Sequence, residues 1–233
     1  MYTYDERFQR SVLLIGRENQ ERLRNAHVAV FGLGGVGSHA AEALARAGIG
    51  TLSLIDKDVV DVSNTNRQLP ALDNTIGRLK TDVVAERLRL INPEIELHLY
   101  SLFIKDPGDC EALDPAPDYL IDAIDTVTGK LLLAEYSRNR GIPMIMCLGT
   151  GNKLDPSRFT IDDIYRTSVC PLAKVMRKEL KARGFEQMTV LYSTEPPLQH
   201  SRPAGTLSYV PPVAGYMLAG HIIRSIIQLP KEG

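Results

Sequence analysis

The chain has 233 residues, of which 44% are hydrophobic and 24% charged, and its net charge is −1. That length suits one large domain with a substantial core, and the charge balance excludes a protein that grips nucleic acid through bulk basicity. The three cysteines, Cys110, Cys147 and Cys170, are widely spaced and form no CxxC pair, which excludes a four-cysteine structural zinc site and argues against a disulfide framework, so a reducing cytoplasm is expected.

The N-terminal stretch, MYTYDERFQRSVLLIGRENQERL, is charged and lacks the apolar core of a signal peptide. An apolar run, Val28–Phe31, then leads into Gly32-Leu33-Gly34-Gly35-Val36-Gly37 and an alanine-rich helical pattern, Gly37–Ala47. A second strand pattern, Leu52–Ile55, ends in the acids Asp56 and Asp58. Strand, glycine turn, helix, strand and acid in this order predict a nucleotide-binding βαβ unit. The glycines allow close phosphate approach at a helix N-terminus, and Asp56 suits a ribose hydroxyl. Further strand patterns fall at Ile95–Tyr100, Tyr119–Ala123 and Pro143–Cys147, separated by helical patterns at Arg78–Ile91 and Thr126–Arg140. Such alternation predicts an α/β, Rossmann-like fold, with a mostly parallel sheet and helices on both faces.

Beyond Arg158, residues 158–164 and TVLYS (189–193) read as strands, and residues 170–184 as a helix with Pro171 in its first turn. TLSYV (206–210) also reads as a short strand, after a polar loop at Thr194–Gly205. The apolar segment Val213–Ile227 is shorter than the roughly 20 residues a membrane span needs, so it is expected as a buried final helix. No linker divides the chain. Residues 1–233 are expected to form one domain, with 1–150 as the nucleotide-binding core and 151–233 as its substrate-facing part.

The glycine turn alone does not separate NAD, a redox cofactor, from ATP, a reagent. Asn64, Asn66, Arg67 and Gln68 follow the second strand, and Lys80 stands near the start of the next helix. An arginine fork and a lysine point charge suit a triphosphate, which favours ATP. Asp122 and Asp125 lie where the fourth strand gives way to a helix. There a carboxylate could hold Mg²⁺ against phosphate or cap the helix; Asp125 is expected to be functional and Asp122 mixed.

Taken together, the GxGGxG turn, Asp56, NTNRQ, GRLK and DAID resemble the E1-like adenylating family, which includes ubiquitin-activating enzymes and activators of sulfur-carrier proteins. The resemblance implies ATP and Mg²⁺ as cofactors, adenylation of a carboxylate, and a homodimer. It also implies that Arg10, in RFQR, reaches across the dimer to the neighbouring phosphates. Family members that activate sulfur carriers usually have two CxxC pairs, which are missing here. The second half, with VLYSTEPP and GTLSYVPPVAG, is instead similar to the branch that dehydrates threonylcarbamoyladenosine in tRNA. A sulfur-transfer or redox protein is left open as a further partner.

Between Arg166 and Arg183 stand six basic residues and one acid, and Lys174, Lys178 and Lys181 share a helical face. With Arg166 and Arg177 they form either a phosphate-backbone footprint for tRNA or a solvated basic face. Cys170 is open between a covalent acyl carrier and a structural or ligand-adjacent role; Cys147 is expected to be inert. Two other functions stay in view: adenylation of the C-terminal glycine of a ubiquitin-like carrier, and an NAD-binding oxidoreductase or sensor.

Overall fold

A computed structural model describes residues 2–199 and 204–227, so positions 200–203 of the expected 194–205 loop lie outside the described residues. The sheet comprises β1 (His27–Phe31), β2 (Thr51–Ile55), β3 (Glu96–Tyr100), β4 (Tyr119–Asp122), β5 (Met144–Cys147), β6 (Phe159–Asp163) and β7 (Thr189–Ser193). The spatial order is β3-β2-β1-β4-β5-β7-β6, and only the β6–β7 pairing is antiparallel. Strand order therefore reverses between β1 and β4, and the carboxyl ends flanking that switch are where such sheets form a ligand crevice.

Every residue of β1 is buried, as expected for a central parallel strand covered on both sides. Val28 and Val30 pack into one core layer with α2 (Gly37–Ala47), α3 (Lys80–Ile91) and α7 (Val210–Ile226). Ala29 and Phe31 face the other layer, with α5 (Val127–Arg140) and α6 (Pro171–Ala182). The α/β reading from periodicity is met.

Two expectations near the C-terminus are corrected. TLSYV is not a strand: β7 is already flanked by β5 and β6, so it offers no free edge, and residues 206–209 run irregularly into α7. That helix begins at Val210 rather than Val213, because Pro211 and Pro212 fall in its first turn, where a missing N–H costs no intrahelical bond. Two helices carried no recognised signal, the short α4 (Pro107–Glu111) and the 22-residue α1 (Tyr4–Asn25).

The start of α1 is set by a capping box between Thr3 and Glu6, and the helix breaks at Gly16, where φ is +80°. Its buried face is anchored by a polar relay. Gln20 Nε2 donates to the Tyr4 hydroxyl at 2.8 Å, and that hydroxyl donates to the Gly48 carbonyl at 2.6 Å. Tyr4→Phe strips the buried Gly48 carbonyl of its hydroxyl donor, while Gln20 Nε2 keeps the Ala47 carbonyl at 2.9 Å, so it should cost about 1–3 kcal/mol. Urea unfolding should show a lower midpoint at unchanged slope. An unchanged midpoint would mean that α1 docks through apolar contacts alone.

Candidate active site

At the end of β1 the chain turns through Gly32, whose φ of +87° suits glycine. A Cβ on Gly32 would lie 2.7 Å from the Ala123 carbonyl oxygen, and one on Gly37 only 1.7 Å from that of Gly32. Both glycines are therefore required for α2 to close onto the turn and for the turn to meet β4. No side chain caps α2 and no acid lies in its first turn, so its positive end is available to an anion.

Asp56 holds this turn from below. Its Oδ2 accepts from the Leu33 amide at 2.6 Å and its Oδ1 from the Asp58 amide at 2.8 Å. Lys80, the first residue of α3 and 5% exposed, donates to Asp58 Oδ2 at 3.1 Å and stands 3.9 Å from Asp56 Oδ2. The ammonium is thus buried yet charge-balanced.

A cleft of about 570 Å³ opens above these groups. Gly32, Gly34, Gly35, Asp56, Asp58, Asn64, Arg67, Gln68, Lys80 and Asp125, all singled out from the sequence, line it. Arg67 Nη1 donates to the Ser63 carbonyl and to Asn66 Oδ1, both at 2.8 Å. Asn66 does not line the cleft; its Nδ2 donates to the Thr206 carbonyl at 3.0 Å, so it positions Arg67 against the segment before α7. Gln68 Oε1 is buried without a partner, a vacant acceptor in the cleft wall that a ligand donor would satisfy. Sequence reasoning missed Lys57, Phe103, Thr150, Thr206 and Pro211, which also line the cleft. Lys57 Nζ lies 4.4 Å from the centre of the Phe103 ring. Neither belongs to a motif, and the turn after β3 alone brings Phe103 there.

The two acids after β4 separate cleanly. Asp122 is wholly buried, its Oδ1 accepts from the Ile124 amide, and Lys130 Nζ lies 3.1 Å from both its oxygens. Burial raises the Asp122 carboxyl above its ordinary range, with Lys130 and the Ile124 amide opposing. Asp122 belongs to the frame of the sheet rather than to the cleft, which corrects its mixed reading. Asp125 is exposed at the cleft and makes no hydrogen bond or ion pair among the described residues. The cap of α5 is Thr126, whose Oγ1 accepts from the Gly129 amide at 3.4 Å, so Asp125 is not needed for that role.

The remaining candidates lie away from the cleft lining. Gly37 is a packing glycine, and Arg10 is exposed on α1. Cys170 is buried at the start of α6, and a Cβ on Gly149 would be 4.0 Å from its sulfur. Arg166 pairs with Asp162 at 3.6 Å, and Arg177 donates to the Thr167 carbonyl at 2.8 Å. Lys174, Lys178 and Lys181 are exposed on α6. Burial pushes the Cys147 and Cys110 thiols up to about 12, which keeps both as inert thiols at neutral pH.

With this geometry in view, the chain belongs to the ThiF family, which matches residues 8–233. The E1-like resemblance read from the motifs is therefore met. Among its relatives, the tRNA threonylcarbamoyladenosine dehydratase of Bacillus subtilis is 40% identical over 240 residues, covering 95% of this chain and 94% of that one. The enzyme of that name from Haemophilus influenzae is 42% identical, covering 83% of this chain and 77% of that one. A crystal structure of the E. coli tRNA N6-threonylcarbamoyladenosine dehydratase in complex with ATP superposes with a TM-score of 0.89 at 35% identity, covering 95% of this chain and 94% of that one. A second structure of the E. coli enzyme holds AMP, with a TM-score of 0.89.

The separation of the two acids has a measurable consequence. Asp122→Asn strands the buried Lys130 ammonium and should cost about 3–5 kcal/mol. Asp125→Asn should stay within about 0.5 kcal/mol of the parent, since it breaks no contact. Denaturant titration of the two variants compares them directly, and equal losses would contradict the division between frame and cleft.

Proposed function

We propose that the chain is an ATP-dependent tRNA-modifying enzyme that adenylates the carboxylate of threonylcarbamoyladenosine in tRNA and then closes the ring. The observation that carries this reading is one cleft in which the glycine turn, Arg67, Lys80 and Asp125 converge. Similarity to the B. subtilis tRNA threonylcarbamoyladenosine dehydratase over nearly the whole of both chains supplies the substrate. A nicotinamide cofactor offers these charges only a pyrophosphate and gives the exposed Asp125 carboxylate no partner, whereas a triphosphate with its cation engages all three.

In this reading the triphosphate lies along the glycine turn and the start of α2, with Phe103 as an apolar wall for the base. The substrate carboxylate attacks the α-phosphorus. An acyl–oxygen–phosphorus bond forms, the bond to the β-phosphate breaks, and pyrophosphate departs. Arg67 offers hydrogen-bonded charge to the departing oxygens, and Lys80 exchanges Asp58 for phosphate. The carbamoyl group then attacks the activated carbonyl, AMP leaves with one proton released, and the net change is loss of one water. The reacting groups lie within one nucleoside, so proximity replaces an enzyme nucleophile and the buried Cys170 has no step to perform.

Mg²⁺ would lower the barrier by screening phosphate charge as pyrophosphate leaves. Among the described residues no group of three or more His, Cys, Asp or Glu side chains could hold a metal. The exposed, unpaired Asp125 fits a cation shared with phosphate oxygens rather than caged by protein.

A homodimer completes the site in this reading through Arg10. Near it on α1, Leu13 and Leu14 are 75% and 85% exposed, apolar area suited to a subunit contact. The exposed Lys174, Lys178 and Lys181 face suits the tRNA backbone. Among the described residues no helix is long and apolar enough to cross a membrane.

Incubation with ATP, Mg²⁺ and modified tRNA, followed by nucleoside mass spectrometry, should show threonylcarbamoyladenosine losing the mass of one water. An unchanged nucleoside would sink the assignment. Arg67→Ala should lower kcat/KM by roughly tenfold to over a hundredfold, the effect of about 1.5–3 kcal/mol from one charge-assisted bond. Mixing inactive Arg10→Ala and Asp125→Asn subunits should restore part of the activity, because each mixed dimer holds one intact site. No recovery after proven subunit exchange would count against a shared site. Replacing Lys174, Lys178 and Lys181 by Ala should flatten the salt dependence of tRNA binding, since fewer counterions are released. Identical slopes would return α6 to a solvated face.

A further inference from the structure

Among the described residues three lysines are nearly inaccessible, and their charge balance differs. Lys80, 5% exposed, has Asp58 at 3.1 Å, and Lys130, 1% exposed, has Asp122 at 3.1 Å. Lys153 is 4% exposed and pairs with no carboxylate within 4.0 Å among the described residues. Its Nζ donates to the backbone carbonyl of Glu195. The Glu195 carboxylate is engaged elsewhere, accepting from the Leu154 amide at 3.1 Å and the Asp155 amide at 3.0 Å. Covering a cation without a counter-charge is costly. Burial lowers the Lys153 pKa from its ordinary value, with Cys170 and the more distant Glu195 carboxylate only partly opposing it.

The surroundings of Lys153 are held firmly. Asn152 adopts a left-handed backbone, φ +57°, uncommon outside glycine. It clasps the facing segment through Asn152 N to Gly205 O at 2.7 Å, Gly205 N to Asn152 Oδ1 at 2.8 Å and Leu198 N to Asn152 O at 2.9 Å. Tyr209 adds a hydrogen bond to the Leu154 carbonyl at 2.8 Å. Between the two segments runs a groove of about 270 Å³, lined by Lys153 with Leu154, Leu198, Gln199 and Leu207. Thr206 lines both this groove and the nucleotide cleft, so the two are neighbours across that residue.

We propose that this groove is the acceptor-nucleoside subsite, in which Lys153 receives the substrate carboxylate and the three leucines carry the nucleoside. The inference rests on the tRNA-modifying reading above. An anionic group supplies the contacting counter-charge that Glu195 does not, and the half-exposed leucines suit a planar, weakly polar base. Because Thr206 borders both spaces, a carboxylate held in the groove lies next to the cleft that would take the phosphates. Lys153 thereby binds and orients the nucleophile, which attacks as the carboxylate and needs no proton transfer.

The probe is the free nucleoside N6-threonylcarbamoyladenosine, with adenosine as the carboxylate-free control, titrated calorimetrically into the full chain. The parent should bind the modified nucleoside at least tenfold more tightly than adenosine. Lys153→Met should abolish that preference, keep ATP affinity within twofold, and leave Tm unchanged or raised, because a covered uncompensated charge is gone. Lys153→Arg should recover part of the preference. A preference that survives in Lys153→Met overturns the proposal, as does a lowered Tm with ATP and nucleoside affinity lost together, the signature of a structural lysine. A Lys153-dependent preference combined with no dehydration of tRNA would overturn the assigned reaction while supporting the subsite.

Discussion

The Asp56 carboxylate ties the glycine turn after β1 to the turn after β2, accepting the Leu33 and Asp58 amides on its two oxygens. Hydrogen bonds to an ionised acceptor are short and strong, and these two fix the floor of the cleft before any ligand arrives. From that anchor the rest follows. Gly32 can turn sharply because β4 passes close behind it, α2 can begin at Gly37 against the Gly32 carbonyl, and Lys80 is drawn to the same acids from the start of α3. A redox domain would assign such an acid to a ribose. Here both oxygens also serve the protein frame.

Charge compensation divides the molecule into frame and function. Glu42, nearly buried on α2, is matched by Arg46 at 2.7 Å and Arg87 at 2.5 Å, and Asp122 by Lys130. These pairs are closed systems, and breaking one leaves a stranded charge. Asp125, Arg67 and Lys153 are different. The first carries no bond, the second has only one nitrogen engaged, and the third is covered against a neutral carbonyl. Groups left incompletely paired around two neighbouring cavities are where a polyanionic reagent and an anionic substrate would meet.

Much of this was legible in the sequence because it depends on local spacing. The GxGGxG turn and Asp56 each sit at a strand end and the NTNRQ run follows in the connection after β2, so βαβ order brought their residues to one cleft. Asp122 and Asp125 were not separable by spacing, because only burial and the reach of Lys130 across one helical turn distinguish them. TLSYV has a strand's composition, and no local rule reveals that β7 lacks a free edge. Lys153 carried no signal at all. Its significance comes from contacts with Glu195 and from Asn152 gripping residues near 205, separations that periodicity cannot reach. Phe103 was hidden for the same reason.

ATP–pyrophosphate exchange reports the central event, reversible attack of a carboxylate on the α-phosphorus within this cleft. The measurement compares tRNA carrying threonylcarbamoyladenosine, tRNA without it, and a ubiquitin-like carrier protein as the stimulating partner. The account predicts exchange driven by the modified tRNA and absent with the other two. Exchange driven by the carrier protein, or none with modified tRNA, would contradict it.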